Sequence, residues 1–401
     1  MPRTLIKGAA VWDGSSAQSR PVDVLVTGNR ITAVGKDIDA ADAEVIEASG
    51  TTLMPGLVEG HCHLSFVGIR TNADLGVIPP EEHLLGTAAN ARLLLEHGFT
   101  SAYSAASAKP RLDVVIRNAI NAGQIVGPRL RAASPEITST GGLGDERMLH
   151  MYQESFGAIA DGPIEIRRVC RTFIREGVDN LKVNISGDEF VSSARAEITT
   201  MQDDEIAAAV EVAHAFHKQI ACHARSSDSV KRAVRNGIDC IYHCDYADEE
   251  ALDMLESVKD HIFVGPAFGL VHNSVFEGER AGMTREVVER MGLFRKFDHT
   301  CATYHEIRKR GIRVVVGGDY GFSITPMGQN ARDIAHFVKY FGYSPAEALQ
   351  CATRIGGELM GIETGQIKEG YLADILLVRG DPLADVSILQ NRDNLALIMK
   401  D

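Results

Sequence analysis

The chain has 401 residues, 45% hydrophobic and 24% charged, the balance of a soluble globular protein with room for one large α/β barrel or two to three ordinary domains. Its formal charge of −13 argues against nucleic acid or an anionic membrane as main partner, since both need a basic face. No apolar run reaches the roughly 20 residues of a membrane span, and the start MPRTLIKGAAVWDG lacks a signal peptide's apolar core, so a cytoplasmic enzyme or binding protein is expected.

The first fifty or so residues read as short strands broken by turns: TLIKGAAVW, then DVLVTGNRITAVG with Gly28-Asn29 at a hairpin turn, then AEVIEASGTTLMPG. From Pro55 onward, apolar β-type runs alternate with amphipathic helical patterns, as in βαβ units around a parallel sheet. Eight strands are predicted, at 56–63, 99–105, 129–137, 180–186, 219–224, 240–246, 261–268 and 313–321. Eight such repeats suggest a (β/α)8 TIM-type barrel, with its active site at the C-terminal strand ends. An open doubly wound sheet is the runner-up, but no strand leads into a G-x-G-x-x-G loop. Helices are expected at 328–342 and 344–361, and β texture returns at 365–382. The two ends of the chain are therefore expected to pair into a small β-sandwich domain, 1–55 with 363–401, interrupted by a catalytic barrel over 56–362.

Several metal-capable residues fall at these predicted strand ends: His61 and His63 on the first, Lys182 on the fourth, His223 on the fifth, His243 on the sixth and Asp319 on the eighth. In the stretch EGHCHL, alternation puts His61 and His63 on one face and Cys62 on the other. The same parity sets Cys222 against His223 and Cys244 against His243. All three cysteines then fall at the strand–helix interface, where a redox thiol would lack exposure. The seven cysteines form no C-x-x-C pair and describe no disulfide framework. Imidazoles with a carboxylate suit Zn²⁺ and its neighbours, and five such ligands exceed what one catalytic zinc uses. Two metals about 3.5–4 Å apart would use them all, but want a bridging carboxylate as well. In place of one, the fourth strand carries Lys182, which is costly to bury unless paired or modified.

This arrangement resembles the amidohydrolase superfamily in its binuclear class. The resemblance runs through MPGLVEGHCH, the eight strands, YSPAEALQCATRIGGELMG and the tail GQIKEGYLADILLVRGDPLADV. It implies two divalent metal ions, with Zn²⁺ the expected one. His61, His63 and Asp319 would hold the more buried ion and His223 and His243 the other, and a CO₂-derived carbamate on Lys182 would bridge them. It implies hydrolysis of a C–N amide-type bond by a metal-bridging hydroxide, with Asp319 as general base and then general acid. The closest texture is that of Xaa-Pro dipeptidase-like and arginine or lysine carboxypeptidase-like members, with imidazolonepropionase-like ones beside them.

The loop TSTGGLGDERMLH carries Leu143 where relatives often have a substrate-contacting histidine. Arg225 is a candidate anchor for a substrate carboxylate, its fork being suited to bidentate pairing. The loop 265–283, with Phe268, Val271, His272 and Phe276, is expected to contribute an apolar wall. The expected substrate is therefore a small molecule with an apolar or aromatic part, either an N-acyl amino acid, dipeptide, carbamate, urea or aryl amide. The alternatives are a one-metal deaminase of a heterocyclic amine, for which HARS lacks an H-x-x-E glutamate, a cyclic amide or lactone hydrolase, and a non-catalytic relative. Homo-oligomers are expected from the same resemblance.

Overall fold

A computed structural model describes residues 1–150 and 154–401. The ring strands are the first, Leu57–Cys62, the second, Phe99–Ser104, and a third in two pieces, Arg129–Arg131 and Ala133–Thr138. The fourth is Asn180–Asn184, the fifth Gln219–Ser226, the sixth Cys240–Tyr246 and the seventh Phe263–Gly265. Each pairs in parallel with the next, the third through both of its pieces. The predicted eighth strand is not a continuous one. Its backbone makes single bonds instead: Val264 N donates to Arg313 O and Val315 N to Val264 O, both at 2.9 Å, and Gly60 N donates to Val316 O at 2.7 Å. Those contacts join the seventh strand to the first.

The ladder stops there because two glycines follow. A Cβ on Gly317 would lie 2.5 Å from the His61 backbone nitrogen, so only glycine lets this segment press on the first strand. Beyond it the chain turns at Asp319, whose φ of 61° lies in the left-handed region.

Amphipathic helices cover the outside of the ring. Asp203–Ala215 opens with a capping box between Gln202 and Glu205, and Ser227–Asn236 is capped by the Ser226 side chain and closed by left-handed Gly237. Their apolar faces meet the outer faces of the strands in one buried layer that includes Ile206, Val230, Cys62, Cys222 and Cys244. A second layer, with Val58, Tyr103, Ala221, Tyr242 and Val315, fills the ring from within. The stretch 344–361 forms two helices, Pro345–Cys351 and Arg354–Met360, rather than one. The break frees the Ala352 carbonyl to accept from Val58 N at 2.7 Å, tying the helix layer to the first ring strand. The loop after the seventh strand holds a helix, Phe268–Phe276.

The chain ends form two sheets. One has four strands, in the order Arg30–Gly35, Asp23–Thr27, Arg3–Lys7 and Glu44–Glu47; Gly28, at φ 62°, makes the hairpin turn. The other has five: Leu395–Met399, Ile375–Arg379, Thr51–Pro55, Ala10–Val11 and Arg20–Pro21. Ile6, Val24 and Ile31 of the first sheet bury their side chains against Val11, Leu53 and Ile375 of the second. The strand Thr51–Pro55 runs through Gly56 directly into the first ring strand, which hangs the histidine-bearing segment from this sheet. No helix among the described residues is long and apolar enough to cross a membrane.

Candidate metal centre

His61 and His63 leave the first ring strand on the same side. Their Nε2 atoms lie 3.1 Å apart, and Asp319 Oδ1 is 3.4 Å from the first and 3.1 Å from the second. Three ligand atoms around a tetrahedral zinc at 2.0–2.1 Å would be separated by about 3.4 Å. The triangle therefore has the edge lengths of a metal-binding face, and among the described residues it is the one three-ligand group of this kind. His63 Nδ1 donates to Ala106 O at 3.3 Å, which leaves its Nε2 lone pair for a ligand. Burial lowers the His61 pKa to about 3 despite the pull of Asp319, so the ring is neutral, as metal binding requires. Burial on its own would raise Asp319, but His61 and His63 hold its carboxyl well below the usual range.

His223 and His243 approach from the fifth and sixth strands, ring centroids 4.2 Å apart, with His243 5.4 Å from His61. His223 Nε2 donates to Gly187 O at 2.9 Å, which turns its Nδ1 lone pair away from that carbonyl. His243 Nδ1 is buried with no partner. Burial, and then the nearby Arg225 charge, pushes both rings well below the ordinary histidine value. Lys182 is 1% exposed, and its ammonium lies 5.3 Å over the Tyr242 ring. No hydrogen bond or ion pair among the described residues engages it. Two neutral histidines, one with an orphaned nitrogen, offer imidazole donors of the kind a second cation takes. His243 and Asp319 both sit at positive φ, 79° and 61°, and backbone strain of this sort tends to gather at functional sites.

These six residues line one cavity of about 460 Å³. Its walls include Phe66, Phe156, Phe190, Phe322, Leu143 and Leu270. Phe66 stacks on His63 at 4.1 Å and meets Phe156 and Phe322 edge-on.

The profile of the Amidohydrolase family matches residues 52–401. The chain belongs to this family. Over 96% of its length, this amidohydrolase is 25% identical to the ochratoxinase of Aspergillus niger, of which it covers 83%. Its structure matches that of a Xaa-Pro dipeptidase with bound methionine at a TM-score of 0.87 and 25% identity, over 99% of this chain and 98% of the other. A prolidase complexed with N-methylphosphonate-L-proline matches at a TM-score of 0.89 and 23% identity, over 99% and 98% of the two chains. The amidohydrolase is an enzyme, a hydrolase of C–N bonds.

The residues named for the substrate fare unevenly. Leu143 lines the cavity, while its carbonyl accepts from Asn184 Nδ2 at 2.9 Å. Arg225 also reaches the wall, but its Nε and Nη1 are bound to Asp188 and Asp245, each at 2.6 Å. Phe268 and His272 lie outside the lining. Their helix turns them away from the cavity, where Phe268 packs on Phe297 and Phe341 and His272 lies 4.3 Å from His336, the rings tilted by 30°. The apolar wall comes instead from phenylalanines on four separate segments, none of which has periodicity to mark it. Glu136, on the third ring strand, went unnoticed. Its Cα pairs with that of Lys182, and strand parity alone would have pointed it inward.

Proposed function

We propose that this amidohydrolase cleaves an amide-type C–N bond in a small molecule with an apolar or aromatic part, using two divalent cations. The observation that carries this reading is the His61, His63 and Asp319 triangle, 3.1–3.4 Å on its edges, at the floor of a phenylalanine-walled cavity. His61, His63 and Asp319 would hold one ion and His223 and His243 the other, with Lys182 carboxylated by CO₂ and shared between them; Zn²⁺ suits this donor set. When bound, the ions supply Lewis-acid polarisation of the carbonyl and lower the pKa of the attacking water. Asp319, whose Oδ1 lies 3.1–3.4 Å from both histidines, would take the proton from that water and return it to the leaving nitrogen. Ala106 O and Gly187 O fix the tautomers of His63 and His223, and the phenylalanines keep bulk water from the reacting carbonyl. In the same reading the ring is a (β/α)8 barrel over 56–362, and the two sheets are a β-sandwich domain built from 1–55 and 363–401.

The test supplies Zn²⁺ and bicarbonate to the purified protein, counts metal per chain, and screens N-acyl amino acids, dipeptides and aryl amides. About two ions per chain and hydrolysis in at least one class are expected. Inactivity across all three classes would refute the reading. One ion per chain, with activity surviving Lys182→Ala, would point to deamination instead.

A further inference from the structure

Glu136 is a carboxylate that the donor set proposed above does not include. It is 6% exposed, lines the cavity, and stands outside the group of ligand atoms that close on one another around Asp319. Its Oε2 accepts from Asn184 Nδ2 at 2.5 Å, and that amide is itself fixed by Leu143 O, so the carboxylate is held in one orientation. Its Oε1 has no hydrogen-bond partner among the described residues, and no cation there lies within ion-pair distance. A buried carboxylate is normally paired. The cavity's own cations do not supply the partner: Arg225 is committed to Asp188 and Asp245, Arg70 is exposed, and Lys182, whose Cα pairs with that of Glu136, makes no ion pair with it among the described residues. A second carboxyl, Glu146, shares the lining, and burial together with the charge of Glu136 raises its pKa. An apolar cavity with a fixed, unpaired carboxylate is built to receive a cation from outside.

We propose that Glu136 selects substrates carrying a free, protonated amino group near the scissile amide, and disfavours the same molecules with that nitrogen acylated. The assignment rests on the amide-hydrolase reading for its chemistry, but the amine preference is measurable without turnover. Metal-loaded wild type and Glu136→Gln are titrated by calorimetry with 2-phenylethylamine and with N-acetyl-2-phenylethylamine. Gln keeps an oxygen for Asn184 and removes the charge. Wild type should bind the amine about ten- to hundredfold tighter than its acetylated form, the range of one charge-assisted hydrogen bond, and the variant should lose that preference. Equal binding of the two probes by wild type, binding of neither, or an undiminished preference in Glu136→Gln would each overturn the proposal. If Glu136→Gln fails to fold, the two-probe comparison on wild type decides alone. L-Phenylalanine 4-nitroanilide and its N-acetyl form are then assayed side by side. Cleavage of the free-amine amide alone supports the assignment, and cleavage of the acetylated one alone overturns it. An amine preference with hydrolysis of neither leaves Glu136 assigned and sinks the amide-hydrolase reading.

Discussion

Replacing Arg225 with Met should destabilise the enzyme strongly at neutral pH and less in mild acid. Arg225 is 1% exposed and holds two carboxylates at 2.6 Å, Asp188 and Asp245; Asp245 is itself fully buried and fixed by Thr300 Oγ1, also at 2.6 Å. Removing the cation while keeping most of its bulk strands both charges in the interior, at a cost of about 3–5 kcal/mol. With an unfolding entropy of about 2.1 cal/mol/K per residue over a unit of roughly 300 residues, that corresponds to a fall of about 5–8 °C in the thermal midpoint. The pH dependence follows from Asp188. Burial alone would raise its pKa, but Arg225, with Lys296 and His223, holds it well below the usual carboxylate range. Its contribution to stability is therefore present above the unfolded value near 4 and is lost as pH falls through the lower folded value. Without Arg225 the largest of these pulls is gone while Lys296 and His223 remain, so burial raises the carboxyl's pKa relative to wild type, and its protonation as pH falls narrows the gap. Circular dichroism melts at a fixed scan rate, at pH 7.5 and pH 5, measure the gap between variant and wild type. A gap under about 2 °C at pH 7.5, or one of equal size at pH 5, would refute the assignment of Arg225 as a buried counter-ion.

Asp319→Asn should lower kcat by about 10²- to 10⁴-fold, the usual worth of a positioned base, and an unchanged kcat at full metal loading would remove Asp319 from proton transfer. Lys182→Ala should reduce bound metal from about two ions per chain to about one, and a short carboxylic acid such as propionate should restore part of the activity; full loading in the variant would count against the bridging role. Iodoacetamide at pH 8 should leave Cys62, Cys222 and Cys244 unmodified in the native protein, because burial pushes all three thiols up, and mass spectrometry showing rapid labelling of Cys62 would contradict that. Phe66→Ala should raise KM for aromatic amides more than for aliphatic ones, since Phe66 links His63 to the other two phenylalanines; equal changes for both would deny it a part in binding.

The residues proposed as metal ligands could be singled out in the sequence because a strand has a period of two and a parallel ring gathers its strand ends. His61 and His63 share a face by alternation, and their meeting with Asp319 needs only that the eighth segment lie beside the first. Parity likewise placed Cys62, Cys222 and Cys244 in the outer apolar layer, where the structure has them. The run RVVVGGDYG was harder to judge. Its valines promise a strand, yet the glycines that let it press against His61 also end the ladder, leaving isolated bridges. Phe268 and His272 were misplaced because a loop at the right end of a ring says nothing about the direction of a helix hidden inside it. Arg225 looked free because its two partners, Asp188 and Asp245, lie 37 and 20 residues away along the chain. The cavity wall was invisible for a related reason. Phe66, Phe156 and Phe322 come from three separate loops, and only the folded ring brings them together.

The strand Thr51–Pro55 has a consequence for how the molecule is made. Its antiparallel partner is Ile375–Arg379, with Met54 opposite Leu376, so the first ring strand hangs from a sheet whose other half is synthesised roughly 300 residues later. On the ribosome, His61 and His63 emerge early, with Ala10–Val11 already available beside Thr51–Pro55, but the antiparallel partner on the other edge comes only with Ile375–Arg379. A nascent chain cut short of Ile375 would carry all six residues proposed as metal ligands and still lack the antiparallel pairing on one edge of the strand that leads into the first two.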